Sequence, residues 1–436
     1  MSAPSDPGGM SAARPVTEYS NGYRRFVLFM LTLVYAFNFI DRQILVILQE
    51  PIKADMGLSD AQLGLLSGFT FALVYVVAGI PIAYWADRGN RRNIVAMALT
   101  VWSGMTAISG YAQNYGQLLL ARVGVGLGEA GGSPPAHSMI SDYYPPAQRG
   151  TALSIYSTGI YIGILLGFLL GGFIAEKFGW RMAFVVVGAP GIVLAIVLRL
   201  TVKEPVRGRW DEGSQSEEHT KPSLKDTVKL LRNTSSFFYI AMGAALISYV
   251  SYGNGNFFPS FLSRYHNMGL AEIGVTLALV SGLSGAVGTF LGGYLGDRFG
   301  QADKRWYLWI PAIGGLVSFP IGMFTLLGDN TTLILAASGL STLLGALYLG
   351  PCIAMSHLLV PPSMRALTSA ILFFVLNMIG LGLGPFATGL TSDLLQETYG
   401  NDSLRYSMVI TAFVSLLGLF CLYMGGKRLP ADLGKR

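Results

Sequence analysis

Ala83-Tyr84-Trp85-Ala86-Asp87-Arg88-Gly89-Asn90-Arg91-Arg92 and Gly293-Tyr294-Leu295-Gly296-Asp297-Arg298-Phe299-Gly300, the latter followed by Lys304-Arg305, are two copies of one pattern. Each ends an apolar run with Asp-Arg, a turn and further basic residues. The aspartates are 210 residues apart. A second pair agrees: Pro145-Pro146-Ala147-Gln148-Arg149 returns as Pro361-Pro362-Ser363-Met364-Arg365, with the arginines 216 apart. A period near half of the 436-residue chain means two halves of one build, an arrangement that recurs in membrane carriers with the site between the copies.

Composition agrees with a membrane setting. The chain is 52% hydrophobic and 12% charged, against about 25% charged in an average soluble protein. Apolar runs of about 20 residues, enough to cross a bilayer as helix, recur near 26–49, 63–86, 93–112, 117–140, 150–175, 182–202, 236–262, 272–296, 306–327, 332–359, 366–391 and 404–425. The expected fold is an all-α membrane protein of twelve transmembrane helices in two six-helix halves. Its parts are a tail (1–24), a bundle (25–202), a linker (203–233), a second bundle (234–426) and a second tail (427–436). The first 24 residues lack an apolar signal core, so no signal peptide is expected. In the linker, Asp211, Glu212, Glu217 and Glu218 mark an acidic stretch, and Leu224, Val228 and Leu231 fall at amphipathic helical spacing.

The formal net charge of +6 invites a nucleic-acid reading, but its placement argues for topology. With the N-terminus inside, 23 Lys and Arg fall in cytoplasmic segments and 5 outside; Arg42 and Arg122 complete the total of 30. Such a bias places both termini in the cytoplasm of a multi-pass inner-membrane protein. No nucleic-acid partner is expected. The two cysteines, Cys352 and Cys421, lie in apolar spans and can build neither a disulfide framework nor a metal cluster. No cofactor or metal is expected, and nothing demands more than a monomer.

The doubled Asp-Arg loop in a twelve-span chain resembles the signature of the major facilitator superfamily, and Arg122-Val123-Gly124-Val125-Gly126-Leu127-Gly128-Glu129-Ala130 resembles its fourth-helix motif. Within that superfamily, Asn38-Phe39-Ile40-Asp41-Arg42 together with Gly126 to Ala130 resembles the Spinster family. The resemblance implies a carrier of sphingoid phosphates or lysophospholipids, with the helix-1 and helix-4 charges as its coupling residues. The exporter motif of the superfamily would place a proline after the third glycine of Gly159, Gly163 and Gly167. Phe168 stands there instead, so that motif gives antiport no support.

Asp41, Arg42, Arg122 and Glu129 are the ionisable residues inside apolar spans, each costing about 2.5–3.5 kcal/mol at bilayer depth even on lenient scales. Arg122 and Glu129, two helical turns apart, lie on nearly one face. Asp41 and Arg42 point about 100° apart, so one expected arrangement turns Arg42 to Glu129 while Asp41 faces the cavity. Asp41 and Glu129 are the expected proton-coupling pair, and Arg42 and Arg122 the headgroup or ion-pair partners. Asp87, Arg88, Arg91, Arg92, Asp297 and Arg298 are expected to form cytoplasmic latches. Pseudo-symmetry sends Asp87 to the start of helix 11 and Asp297 to that of helix 5, closed only when the site faces outward.

No counterpart of the buried charges occurs in the second half. Asn38, Tyr249, Tyr252, Asn254, Asn256, Tyr348, Phe374 and Asn377 are expected to wall the cavity, with helix 7 broken near Gly253, Gly255 and Pro259. Gly159, Gly163, Gly167 and Gly171 form a close-packing stripe. His137, His266 and His357 share no visible geometry with the carboxylates. Charge on one wall and aromatics on the other suit an amphiphile. The expected activity is secondary active transport, by alternating access and with a proton as coupling ion, of a lipid-like anionic substrate. The alternative is a proton-coupled carrier of small organic anions or drugs. An enzyme would need a nucleophile–base pair or metal cluster, and neither is present in the pattern.

Overall fold

The structure, a computed structural model, describes residues 19–210 and 223–434. The described residues are helical, with no strand among them. The expected acidic stretch at Asp211 to Glu218 lies outside them, as does most of the N-terminal tail.

Twelve helical rods follow one another. They are α1 (Asn21–Ile47), α2 (Asp60–Arg88), α3 (Arg91–Ser109) and α4 (Tyr115–Glu129, continuing as Ser133–Tyr143). Pro146–Thr201 turns at Gly179, whose φ of 82° is a left-handed value that favours glycine, and divides into α5 and α6. The second half holds α7 (Ser235–His266), α8 (Leu270–Phe299), α9 (Trp306–Leu327), α10 (Thr331–Leu358), α11 (Arg365–Val375 through Gly384–Tyr399) and α12 (Ser403–Leu433). By length and composition, 8 helical stretches can cross a membrane; two of them, Pro146–Thr201 and Pro362–Leu433, hold two rods each, and α3 and α4 fall outside the set.

Local sequence sets the helix starts. Ser20, Asn90 and Asn114 each accept the backbone N–H three residues on. Ser59 and Gln62 close a reciprocal capping box at the start of α2. Wide π-helical turns interrupt α2 at Leu65–Phe69, α8 at Ala278–Leu283 and α11 at Leu376–Leu383. The glycine stripe of α5 packs on α1: a Cβ on Gly163 would lie 2.4 Å from the Ala36 carbonyl oxygen, and one on Gly159 2.7 Å from that of Thr32. Backbones touch there because no side chain intervenes.

α7 is one continuous 32-residue helix with Pro259 inside it, so the expected break is absent. Gly253 packs against the Thr388 hydroxyl and the Gly384 carbonyl, and Asn256 Nδ2 donates to the Tyr252 carbonyl at 2.8 Å. Pro259 withholds only the N–H that the Gly255 carbonyl would accept, and the helix runs on past it. The short helix Leu224–Arg232 leaves Leu224 and Val228 exposed and buries Leu231.

Each half has its own core, around Trp102 and Tyr156 in the first and around Ile240 and Leu422 in the second. A third joins them, where Ile44, Leu63 and Phe184 meet Phe257, Phe261 and Ile273. It lies at the end that carries Asp60 and Arg264. There Arg264 grips Asp60 with two bonds of 2.9 and 2.7 Å and Glu50 at 2.7 Å, and Ser392 donates to Asp60 at 2.7 Å. A further bond between the halves runs from Tyr161 Oη to Thr289 Oγ1, 2.6 Å. At the Asp87 end, among the described residues, no hydrogen bond or ion pair joins the halves. Polar bonds and a shared core thus join the halves at one end, and among the described residues no such bond joins them at the other.

Candidate functional site

The four charged residues converge where α1 meets α4. Arg42 Nε donates to Glu129 Oε2 at 2.8 Å, and the Glu129 side chain is 0% exposed. The guanidinium lies 4.8 Å from the ring centre of Phe71, 5.1 Å from Phe39 and 5.4 Å from Tyr75, within cation–π range. Gly126 lets α4 approach α2 here, facing the Phe71 carbonyl at 3.3 Å from its would-be Cβ.

Asp41 corrects the expectation: it is buried, not cavity-facing, and among the described residues neither carboxylate oxygen makes a well-formed hydrogen bond, Thr106 being the polar side chain beside it. The 100° between neighbours accounts for this. With Arg42 on Glu129, Asp41 swings into the packed side, beside Thr106 of α3 and the charge of Arg122. Arg122 is buried behind Phe71, its Nη1 3.5 Å from the Asp41 carbonyl. A buried carboxylate without a well-formed hydrogen bond costs stability, so this cluster is held by the surrounding fold. Asn38 is buried beside Glu129.

The expected wall divides. Tyr252 packs from α7 toward the first-half core with Tyr75 and Tyr35. Tyr249, Tyr348 and Asn377 are half-buried and Phe374 is exposed. Asn254 donates to the Met408 carbonyl of α12 at 3.1 Å, and Asn256 is buried on its own helix. In both, Nδ2 donates to a backbone carbonyl while Oδ1 is buried without a partner among the described residues.

The latch residues also separate. Arg91 is buried within the first half, bonded to Glu204 at 2.8 Å, Ser138 at 2.7 Å and the Asp142 carboxylate. Arg92 meets Glu204 through its backbone N–H, and Arg88 stacks on Tyr84. Arg207 donates to the carbonyls of Ala86, Asp87 and Gly89 and so caps the C-terminus of α2. Asp87 and Asp297 are exposed, and Asp297 accepts from Tyr307 at 2.7 Å within its own half; Arg298 is also exposed.

The pattern missed two things. One is the aromatic set around Arg42, whose signal was the i, i+4 spacing of Phe71 and Tyr75. The other is the Asp60–Arg264 grip, whose members stand at span ends, where charge is ordinary.

Residues 31–282, and again 240–435, match the profile of the Major Facilitator Superfamily. The chain belongs to that superfamily. Its members are transporters and not enzymes, and the protein is an integral, multi-pass membrane protein. It is 36% identical over 93% of both chains to an "MFS-type efflux pump" of Mycolicibacterium smegmatis, and 26% identical to protein spinster homolog 1 of Xenopus tropicalis over 95% of this chain and 85% of that one. It superposes with a TM-score of 0.89, at 33% identity, on a bacterial homolog to the human lysosomal transporter Spinster in an inward-facing, unoccupied conformation, covering 95% of this chain and 99% of that one. Within the superfamily the protein is of Spinster type.

Proposed function

We propose that this transporter moves an amphipathic, anionic lipid of lysophospholipid or sphingoid-phosphate type by alternating access, driven by protons. The observation that carries the reading is the buried Arg42–Glu129 pair at 2.8 Å among Phe39, Phe71 and Tyr75. Burial favours a neutral carboxyl group, and a touching arginine favours a charged one. Two access states that differ in the Arg42–Glu129 distance therefore differ in affinity for a proton, and by linkage the proton biases the states. An anionic headgroup that draws Arg42 away frees Glu129 to take a proton. Asp41 is the second proton site, and Arg122 supplies the positive charge between them. Half-buried Tyr249, Tyr252 and Tyr348 with exposed Phe374 offer the apolar wall for a chain.

In this reading the twelve rods are twelve spans with both termini cytoplasmic, and the Asp87 end faces the cytoplasm. The bundles 25–202 and 234–426 rock about the site, joined by 203–233. The likeness to an inward-facing structure supports that orientation. Among the described residues Asp87 and Asp297 then have no hydrogen bond or ion pair across the halves because the cytoplasmic end is open.

The efflux-pump relative favours a second reading, a proton-coupled carrier of small organic anions or drugs. Uptake of labelled lysophospholipid into proteoliposomes, with and without an imposed pH gradient, separates the two. Gradient-stimulated lipid uptake lost in Glu129→Gln is the expected result. No lipid movement by folded protein would transfer the assignment to small solutes.

A further inference from the structure

At the Asp60 end each half closes on the other by the same device. Asp393, late in α11, presents both carboxylate oxygens to the first turn of α2. Oδ1 accepts from the Asp60 N–H at 3.0 Å and Oδ2 from the Ala61 N–H at 2.8 Å. Glu176, late in α5, presents Oε2 to the first turn of α8 and accepts from the Ala271 N–H at 2.7 Å. In each case the helix begins in one half and its carboxylate comes from the other.

The offsets exclude coincidence. Ala61 and Ala271 are 210 residues apart, and Glu176 and Asp393 are 217 apart, the spacing of the internal repeat. Local sequence also leaves these amides open. Ser59 caps α2 through Gln62, which leaves the N–H groups of Asp60 and Ala61 without a partner of their own, and α8 starts at Gly269, which has no side chain to offer. Negative charge at a helix N-terminus is stabilising. Close approach on the α2 side is secured by glycine: a Cβ on Gly389 would lie 2.2 Å from the Asp60 carbonyl oxygen.

We infer that Asp393 and Glu176 are a paired latch for this end of the transporter, positioning residues that set how much of the protein occupies the state seen here. Helix starts on α2 and α8 are lent across the halves, and opening this end leaves them uncapped. The two copies are unequal. The Asp393 copy sits beside the buried Asp60–Arg264 grip, whereas Glu176 is exposed and works alone. The Asp393 copy therefore carries more of the hold. The inference borrows from the functional reading only that the two ends open in turn.

The test is a distance, not transport, so failure of lipid uptake leaves it intact. Spin labels at Gln113→Cys and Asp329→Cys, both exposed at the Asp60 end, report its opening, and labels at Gln148→Cys and Ser363→Cys report the opposite end. In detergent or nanodiscs, Asp393→Ala is expected to shift the ratio of open to closed at the Asp60 end by roughly tenfold and to shorten distances at the opposite end. Glu176→Ala should do less and the double variant most. Asp393→Asn, which keeps an acceptor oxygen without the charge, serves if the alanine variant does not fold, with a smaller shift in the same direction expected. Unchanged distances in the folded double variant would overturn the latch. So would an equal shift in Glu397→Ala, a nearby exposed carboxylate that caps nothing.

Discussion

Arg42 and Glu129, 87 positions apart in the chain, meet at 2.8 Å with the carboxylate shut away from solvent. A buried charge that loses its partner is penalised by several kcal/mol unless it neutralises. Glu129→Gln removes the titratable group and keeps the shape. Gradient-driven transport should fall at least tenfold in protein that still folds, with a lowered thermal midpoint in detergent, because Arg42 keeps its charge without its partner. Proteoliposome uptake with and without a pH gradient checks this, and pH-driven rates equal to the native protein's would exclude Glu129.

Arg91 behaves differently from its neighbour in the same loop. Its guanidinium is buried among Glu204, Ser138 and Asp142, whereas Arg88 is exposed on Tyr84. Arg91→Ala is expected to cost about 3–5 kcal/mol, since it strands partly buried carboxylates. Arg88→Ala should cost at most about 1 kcal/mol. Thermal melts of the two variants side by side decide it, and equal melting points would refute the assignment.

The α1–α5 seam gives a steric prediction. Gly163→Val has no room against the Ala36 carbonyl and should destabilise by about 1–3 kcal/mol or more. Gly150 has nothing within 4 Å of a would-be Cβ, so Gly150→Ala should be neutral or stabilise by up to about 1 kcal/mol. Reversal of that order in melting experiments would mean that the seam opens freely.

Asp87→Asn tests the opposite end. Among the described residues Asp87 has no hydrogen bond or ion pair across the halves, so its replacement removes no such bond here. The expected loss falls on the outward-open state, and label pairs across the Asp87 end should report a longer mean separation than in the native protein. An unchanged distribution would remove Asp87 from the gating scheme.

Much of this architecture is legible in the chain because the features are periodic. The repeat near 210 residues, the apolar runs and the glycine stripe each survive averaging over a helix. The Arg42–Glu129 pairing was legible too, since two charges at bilayer depth have few places to go. Asp41 is packed away rather than cavity-facing because the 100° between neighbours fixes only that it parts from Arg42, and the side to which it turns depends on α3, far along the chain. The backbone bonds of Asn254 and Asn256 were not legible, because the carbonyl that each amide meets depends on how α7 packs. The Asp60–Arg264 grip and the trans caps were invisible for another reason: charge near a span end is what solvent exposure alone would produce.

The wide turns at Leu65–Phe69 and Ala278–Leu283 have a consequence for phase. A π-helical turn holds one residue more than an α-helical turn, so side chains beyond it are advanced by about 100° relative to those before it. Asp60 and Asp87 lie on opposite sides of one such turn, and Leu270 and Asp297 on opposite sides of the other. A helical wheel drawn straight through either rod misassigns every position downstream. Deleting one residue from Leu65–Phe69 would leave α2 nearly as long and yet rotate Asp87 by more than a quarter of a turn, carrying the whole Asp-Arg signature off the face that now bears it.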